Sequence, residues 1–399
     1  MSADRFIDAM ASGLARIPVL SNGYRPFFLG AACWAVLGMV LSVGSMVGRW
    51  SFAVVYGAAA WHSHELLFGY GSAFVAGFLL TANLTWTGRR PVRGGALLAL
   101  VLLWIAGRVA FMTLNEVDLP TAAVIDGLFP IVLAALALHE VVIGRNWRNV
   151  AVAALVGLFA VANLWFHAEV FWLGVANYSN RAAIAVLIIL ISFILDCVTP
   201  TFTLNWLTPH SKGELPTEFG RFDAAVLAAS AIALSVWIAL PDGMPTAVAL
   251  LFAGVLQAVR MSRRAGAHIW REPLKFVLRI SYAFVPLGFV LVGISTLWPE
   301  AMPPSAALHA WTTGAIGVMT LAVMTRASLG QTGKPLRVDK VTRMFLVAAI
   351  VAALTRVAAP LLSAVALPLL VASLVGWIVA FGMFVLRYGS VLIRPKTRG

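Results

Sequence analysis

Long apolar runs recur along almost the whole chain and constrain its fold more than any other feature. Each run has the length that a helix needs to cross a hydrocarbon layer of roughly 30 Å. The sequence therefore predicts an all-α, polytopic transmembrane helix bundle that forms a single domain over residues 1–399. The twelve predicted spans lie near residues 27–47, 62–84, 95–114, 119–139, 149–169, 182–204, 222–240, 245–259, 275–297, 304–326, 341–361 and 363–387.

Composition indicates that lipid is the solvent of this chain. Of its 399 residues, 61% are hydrophobic and only 11% are charged, a balance that soluble proteins of this size do not have. The first strongly apolar stretch begins near Phe27 and further spans follow at once, so we expect no cleavable signal peptide. The only two cysteines, Cys33 and Cys197, fall inside predicted spans, which excludes a disulfide framework.

The basic residues are distributed as topology signals. A net charge of +13 would suggest a nucleic-acid partner for a soluble protein, but most of the 29 Lys and Arg residues fall in alternate connections between spans. Only Arg49 and Arg181 fall in the other connections. By the positive-inside rule, we predict a bacterial inner-membrane protein with both termini in the cytoplasm, in contact with lipid and not with nucleic acid.

Four of the seven histidines fall near the predicted outer face. His62 and His64 open the second span, His167 closes the fifth, and His309 lies one turn into the tenth. Imidazoles from separate spans in one layer can bind haem iron or another metal such as copper. The alternative is that each anchors its helix at the lipid headgroups. The other three lie on the cytoplasmic side: His139, His210 and His268.

His64 and His309 occupy equivalent positions in their spans. Each precedes a basic Thr-Gly turn, at Thr87 and at Thr332, by the same number of residues, and Gly69 aligns with Gly314. The two helices should therefore cross in the same direction, and their imidazoles could be the two axial ligands of one haem. No haem-attachment motif of the c type occurs, so the predicted haem is of the b type and bound non-covalently.

The second span contains two histidines and a carboxylate within four residues. In a helix, His62 and His64 lie about 200° apart, so only one of them can bind a given metal. Glu65 is three residues after His62 and is predicted to fix an imidazole tautomer, to bind a metal or to accept a proton. We predict that His62 and Glu65 form a distal catalytic site, with His167 as a further metal ligand.

Three arginines are predicted near the outer face, where the two propionates of a haem would need cationic partners: Arg108, Arg181 and Arg356. Asp126 lies at a similar depth in the fourth span. An ion pair between Arg108 and Asp126 is the structural alternative.

A second polar group is predicted in the inner half of the bundle. Asp196, Arg279 and Tyr282 could form a proton route from the cytoplasm, or Asp196 and Arg279 could simply pair between helices. No chain of polar residues connects them with the histidine layer, which favours the simple pair.

The sequence as a whole resembles the NnrS family, haem- and copper-containing membrane proteins associated with nitric oxide metabolism and nitrosative stress. Two departures from the family pattern are Gln331, where the family usually has histidine, and the sequence of residues 196–203. The segments that carry the resemblance are Tyr24-Arg25-Pro26-Phe27-Phe28, Trp61-His62-Ser63-His64-Glu65, Gly77-Phe78-Leu79-Leu80-Thr81, Asn163-Leu164-Trp165-Phe166-His167, Leu308-His309-Ala310 and Met324-Thr325-Arg326.

The resemblance implies a haem-dependent oxidoreductase of the nitric oxide reductase type. Such a protein would bind nitric oxide, reduce it to relieve nitrosative stress and take its electrons from a quinol in the bilayer. Two alternatives stay open. One is a twelve-helix secondary transporter, and the other is a haem or copper sensor that binds nitric oxide without converting it.

Overall fold

The computed structural model describes residues 13–51, 56–87, 91–114, 116–193, 219–263, 273–331 and 338–395, and these residues are mainly helical and contain no strand. Twelve helices follow one another along this described part of the chain. The first six are α1 Tyr24–Met46, α2 over 58–87, α3 Gly95–Met112, α4 Leu119–Ile143, α5 Val150–Leu173 and α6 Tyr178–Phe193. The other six are α7 Arg221–Ala239, α8 Met244–Arg263, α9 Pro273–Leu297, α10 over 304–331, α11 Lys340–Ala358 and α12 Ala366–Ile393.

The twelve predicted spans correspond one to one with these helices. By length and composition, 10 helices can cross a membrane, and they are all of the twelve except α2 and α6. The side chains of α2 are described only as far as Thr81, and the predicted sixth span continues to 204, beyond the residues described after Phe193. The chain is a multi-pass membrane protein. The orientation of its termini stays a prediction.

Two helices contain a π-helical segment, and each segment begins directly after a histidine. In α2, the α-helical segment Ala58–His64 is followed by the π-helix Glu65–Tyr70 and then by Gly71–Thr87. In α10, Pro304–His309 is followed by the π-helix Ala310–Val318 and then by Met319–Gln331. Such π-helical insertions are rare and occur frequently at functional sites.

The chain divides into two compact units, and the single domain predicted from the sequence stays a prediction. The first unit comprises Met1–Ala183, Met324–Arg337 and Phe381–Gly399, and the second comprises Ile184–Val323 and Val338–Ala380.

In the first unit, small residues and a buried arginine hold α1 in place. A side chain at Gly77 of α2 would collide with the ring of Phe28, so the glycine allows α1 and α2 to approach closely. Arg25 is buried, and its Nη1 donates to the carbonyl oxygens of Leu392 at 3.0 Å and Arg394 at 2.7 Å. A cation is thus bound to carbonyl groups at the carboxyl end of α12, where the helix dipole favours it.

In the second unit, a buried network centred on Arg260 joins α7, α8 and α9. Arg260 Nε donates to Asp223 Oδ1 at 3.1 Å, and its Nη1 donates to Tyr282 Oη at 2.6 Å. The Tyr282 hydroxyl in turn donates to Gln257 Oε1 at 2.5 Å. The expected partner of Arg279, Asp196, lies outside the described residues, and Arg279 Nη2 donates to Met261 O at 3.4 Å.

Three arginines at or just outside the ends of predicted spans are buried within helices: Arg25, Arg260 and Arg326. The predicted eighth span was too short, because α8 continues to Arg263 and contains Arg260. The ion pair with Asp223 compensates the charge of Arg260 at that depth.

Candidate metal centre

Four helices of the first unit bring buried polar side chains to one place. Helix α2 supplies His64 and Glu65, α3 supplies Arg108, and α4 supplies Asp126, and we call these four residues the charge ring. Helix α5 adds two residues that contact the ring, and the connection before α2 adds one: Asn163, His167 and Tyr56.

The charge ring is a closed circuit of hydrogen bonds. His64 Nδ1 lies 3.0 Å from Glu65 Oε1, and Arg108 Nη1 donates to Glu65 Oε2 at 2.6 Å. Arg108 Nη2 donates to Asp126 Oδ1, and Asp126 Oδ2 lies 3.2 Å from His64 Nε2. The ion pair between Arg108 and Asp126 that the sequence suggested is therefore present, as part of a larger circuit.

Charges of opposite sign are paired within the ring. Both ring nitrogens of His64 lie near a carboxylate oxygen, and Nε2 also lies 3.3 Å from Asn163 Nδ2. The guanidinium of Arg108 contacts both carboxylates and compensates their charge, as their burial requires.

Two residues of α5 also contact the carboxylate of Asp126. Asn163 Nδ2 donates to Asp126 Oδ2 at 2.8 Å, and His167 Nε2 lies 3.0 Å from the same oxygen. Asn163 and His167 are four residues apart, so they lie on one face of the helix.

The phenol of Tyr56 contacts the centre through His167. Its hydroxyl lies 2.9 Å from His167 Nδ1. Burial, together with the negative charges of Asp126 and Glu65, raises the pKa of the Tyr56 phenol far above its usual value. Tyr56 therefore remains protonated and can donate a hydrogen bond.

Three side chains of the centre can hold a metal ion together. One ligand atom each from His64, Asp126 and His167 lies within 4.8 Å of the other two, and all three residues are buried. Two imidazoles and one carboxylate are a ligand set that iron, copper and zinc accept.

Aromatic rings enclose His64. Phe111 stacks on its imidazole with centroids 4.0 Å apart and planes inclined by 8°, and Phe166 and Phe68 lie at 4.9 and 5.2 Å. A porphyrin on His64 Nε2 would have to displace Asp126 and these rings. The surroundings of His64 therefore fit a small ion better than a haem.

Gly69, in the π-helical segment, lies in close contact with side chains of the charge ring. A side chain there would collide with Arg108 Nη1, and its Cβ would lie 2.6 Å from Trp34 Nε1 and 2.7 Å from Glu65 Oε2. Trp104 Nε1 donates to Gly69 O at 2.9 Å. Glycine is required because the side chains that orient Glu65 and Arg108 occupy this space.

The remaining predicted site residues lie elsewhere. His62 is half-buried on α2, opposite His64, and is not a member of the converging group. The imidazole that Glu65 contacts at 3.0 Å is that of His64, the residue directly before it. Arg181 is on α6, 5.5 Å from the ring centroid of Tyr178.

Two predicted residues belong to the second unit. His309 is half-buried, and its Nδ1 lies 2.6 Å from Ser305 O. Arg356 is half-buried near the end of α11. The prediction that His64 and His309 bind one haem stays a prediction.

Sequence reasoning missed three contributions to this centre. Asp126 was considered only as a partner for Arg108, and Asn163 only as part of a family motif. The four-residue spacing of Asn163 and His167 was a usable signal, since it places both on one helix face. Tyr56 gave no signal, because it lies in a connection outside the predicted spans.

The comparisons with known proteins agree with a membrane protein of this kind. A family model described as NnrS protein matches residues 18–396, nearly the whole chain. No curated protein and no solved structure gives a match. The family is generally associated with haem or metal. This chain belongs to the NnrS family of membrane proteins associated with nitric oxide.

Proposed function

We propose that this protein binds nitric oxide at a metal ion held by His64, Asp126 and His167 and reduces it, relieving nitrosative stress. The observation that carries the proposal is the convergence of three metal-binding side chains in a buried centre. Family membership supplies the substrate class. The balanced reaction is 2 NO + 2 e⁻ + 2 H⁺ → N₂O + H₂O, with a quinol in the bilayer as the electron donor.

The residues of the centre fit a redox-active metal. Two imidazoles and a carboxylate leave coordination positions open, and iron or copper, unlike zinc, can change oxidation state. Among the described residues, three buried polar atoms of this region have no hydrogen-bond partner: Trp34 Nε1, Arg108 Nε and Asn163 Oδ1. Such atoms favour a centre that is completed by a ligand or by ordered water.

The chain's own side chains orient the ligands. In this proposal His64 Nδ1 donates a hydrogen bond to Glu65 Oε1 at 3.0 Å, which leaves Nε2 for the metal. Arg108 compensates the charges of Glu65 and Asp126 and keeps both carboxylates in fixed positions. When the metal is bound, it supplies an open position for nitric oxide and a route for single electrons.

Glu65 is the carboxylate beside the proposed metal ligand His64. Its Oε1 lies 3.0 Å from His64 Nδ1, next to the aromatic rings that enclose this histidine. Glu65 would relay protons to a reaction that consumes one proton for each nitric oxide molecule.

A haem is proposed separately at His309. Histidine ligands of metals usually donate their second ring nitrogen to a carbonyl or carboxylate, and His309 Nδ1 has this relation to Ser305 O. The haem would be of the b type. Copper is the alternative metal for the centre at His64.

The test is nitric oxide consumption by the purified protein in liposomes with a reduced quinol under anaerobic conditions. We expect wild type to produce N₂O, and His64→Gln to lose at least nine-tenths of this activity. The matched control is His139→Gln, because the His139 side chain is 51% exposed and is not one of the three converging ligands.

The outcome distinguishes a nitric oxide reductase from a sensor and from a transporter. Bound nitric oxide without N₂O would favour the sensor. Equilibration of a solute across the vesicle membrane without nitric oxide chemistry would favour the transporter. Equal N₂O production by wild type and His64→Gln would overturn the proposed centre.

A further inference from the structure

Tyr56 is a buried residue of the connection between α1 and α2 that reaches the metal centre. Its ring packs against Phe111 at 4.7 Å and stacks on Phe166 at 5.9 Å with planes inclined by 17°. Its hydroxyl lies 2.9 Å from His167 Nδ1. The next residue, Gly57, has φ of 75°, which a side chain would strain, so the chain turns there from Tyr56 into α2.

The direction of the hydrogen bonds around His167 follows from its two partners. Its Nε2 lies 3.0 Å from Asp126 Oδ2, which accepts, so Nε2 carries the proton. A neutral imidazole with a proton on Nε2 accepts at Nδ1. The Tyr56 hydroxyl therefore donates to His167 Nδ1.

We propose that Tyr56 is a positioning residue that orients His167 for metal binding, an inference that rests on the proposed metal function. If Nε2 held a metal, the proton of His167 would lie on Nδ1, and Nδ1 would donate a hydrogen bond to the Tyr56 oxygen. A hydroxyl serves in both arrangements, because it donates and accepts. Phenylalanine would keep the ring contacts with Phe111 and Phe166 and lose only this function.

The surroundings leave few other groups for this role. Among the described residues, the hydrogen-bond partners of the His167 ring are Asp126 at Nε2 and Tyr56 at Nδ1, and the ring centroids of Phe111 and Phe166 lie 5.2 and 6.0 Å from its own. Without the Tyr56 hydroxyl, Nδ1 would lose this hydrogen bond, and the rotation of the imidazole about its χ2 bond would depend on Nε2 and on the aromatic contacts. An outer partner of this type typically changes metal affinity by about 10–100-fold.

The experiment titrates the metal-free full-length protein in detergent with Co²⁺ alone and follows the visible absorption of the bound ion. We expect Tyr56→Phe to bind Co²⁺ about 10–100-fold more weakly than wild type, with a shifted spectrum. The matched control is Tyr178→Phe, because Tyr178 is 40% exposed and its backbone nitrogen, not its hydroxyl, makes the hydrogen bond to Glu169. Thermal unfolding of the metal-free variants checks that both fold like wild type.

A second measurement needs no metal. Nitrogen NMR of protein with ¹⁵N-labelled histidine, with His167 assigned by its loss in His167→Gln, reports which ring nitrogen carries the proton. We expect a hydrogen-bonded, unprotonated Nδ1 in wild type and loss of that hydrogen-bond shift in Tyr56→Phe.

The two arms distinguish two kinds of failure. If wild type does not bind Co²⁺, or if His64→Gln binds it equally well, the metal centre is wrong, and the NMR arm still decides whether Tyr56 orients His167. If Tyr56→Phe retains both the wild-type Co²⁺ affinity and spectrum, or the wild-type state of His167 Nδ1, the role of Tyr56 is overturned.

Discussion

Helices α2 and α10 both contain a histidine near their amino-terminal end, and both change from α-helix to π-helix at the next residue. Their histidines nevertheless have different surroundings. His64 is fully buried, with a carboxylate at each ring nitrogen, whereas His309 is half-buried with a backbone carbonyl at Nδ1. Aligned on the histidines, Glu65 corresponds to Ala310.

The comparison extends to the following helices. At the same alignment, Arg108 corresponds to the buried Ala353, and Asp126 corresponds to Val371, which is half exposed. The shared π-helical feature therefore does not decide the chemistry. Acidic and basic side chains from neighbouring helices favour a cation at His64, whereas the ring of His309 contacts a backbone carbonyl.

The largest expected effect comes from removing the carboxylate that joins the charge ring to His167. Asp126→Ala leaves Arg108 buried without one of its two acidic partners, so we expect unfolding free energy to fall by about 3–5 kcal/mol and metal binding to be lost. Thermal unfolding in detergent and metal analysis measure the two effects. The control Asp242→Ala, at an exposed connection, should change neither.

His64 and His309 are expected to bind different groups, a redox metal and a haem. We expect His64→Gln to lose the redox metal and keep the haem absorption, and His309→Gln to lose the haem absorption and keep the metal. Metal analysis and the Soret band measure this directly. Loss of both groups in either variant would mean that the two histidines serve one site, as the original haem pairing predicted.

Replacing Glu65 with alanine, the residue at the aligned position of α10, should weaken metal binding by a smaller factor. Glu65→Ala removes the acceptor at His64 Nδ1 and one partner of Arg108 but keeps all three metal ligands. We expect about 10–100-fold weaker metal binding, measured by titration with Co²⁺. An unchanged affinity would show that Glu65 does not orient His64.

The smallest expected effect is steric. Gly69→Ala places a methyl group against Trp34, Glu65 and Arg108, and we expect about 1–3 kcal/mol of destabilisation. Gly157→Ala is the matched control, because a methyl group there meets nothing within 4 Å. If both variants unfold at the same temperature, the contacts around Gly69 do not hold the ring.

The fold was predictable because the length of an apolar run is enough to predict a membrane-spanning helix. All twelve predicted spans correspond to helices, and the errors concern ends such as Arg260, where a buried cation has its acidic partner on another helix. Depth along each helix was also predictable, so His64, Arg108 and Asp126 were assigned to similar levels.

The assembly of the site was not predictable from depth. Which faces of α2, α3, α4 and α5 meet depends on side-chain packing between helices that a single sequence does not reveal. Asn163 could have been included from its spacing to His167. The contact of Tyr56 with His167 could not, because it depends on the path of a connection and not on any helical period.

The most direct test of the metal centre is X-ray absorption spectroscopy of the iron- or copper-loaded protein, compared with Asp126→Asn and His167→Gln. We predict a first shell with two imidazole nitrogens and one carboxylate oxygen at about 2.0–2.2 Å, and loss of one imidazole in His167→Gln. A metal whose shell is identical in wild type and both variants would contradict the assignment of His64, Asp126 and His167 as its ligands.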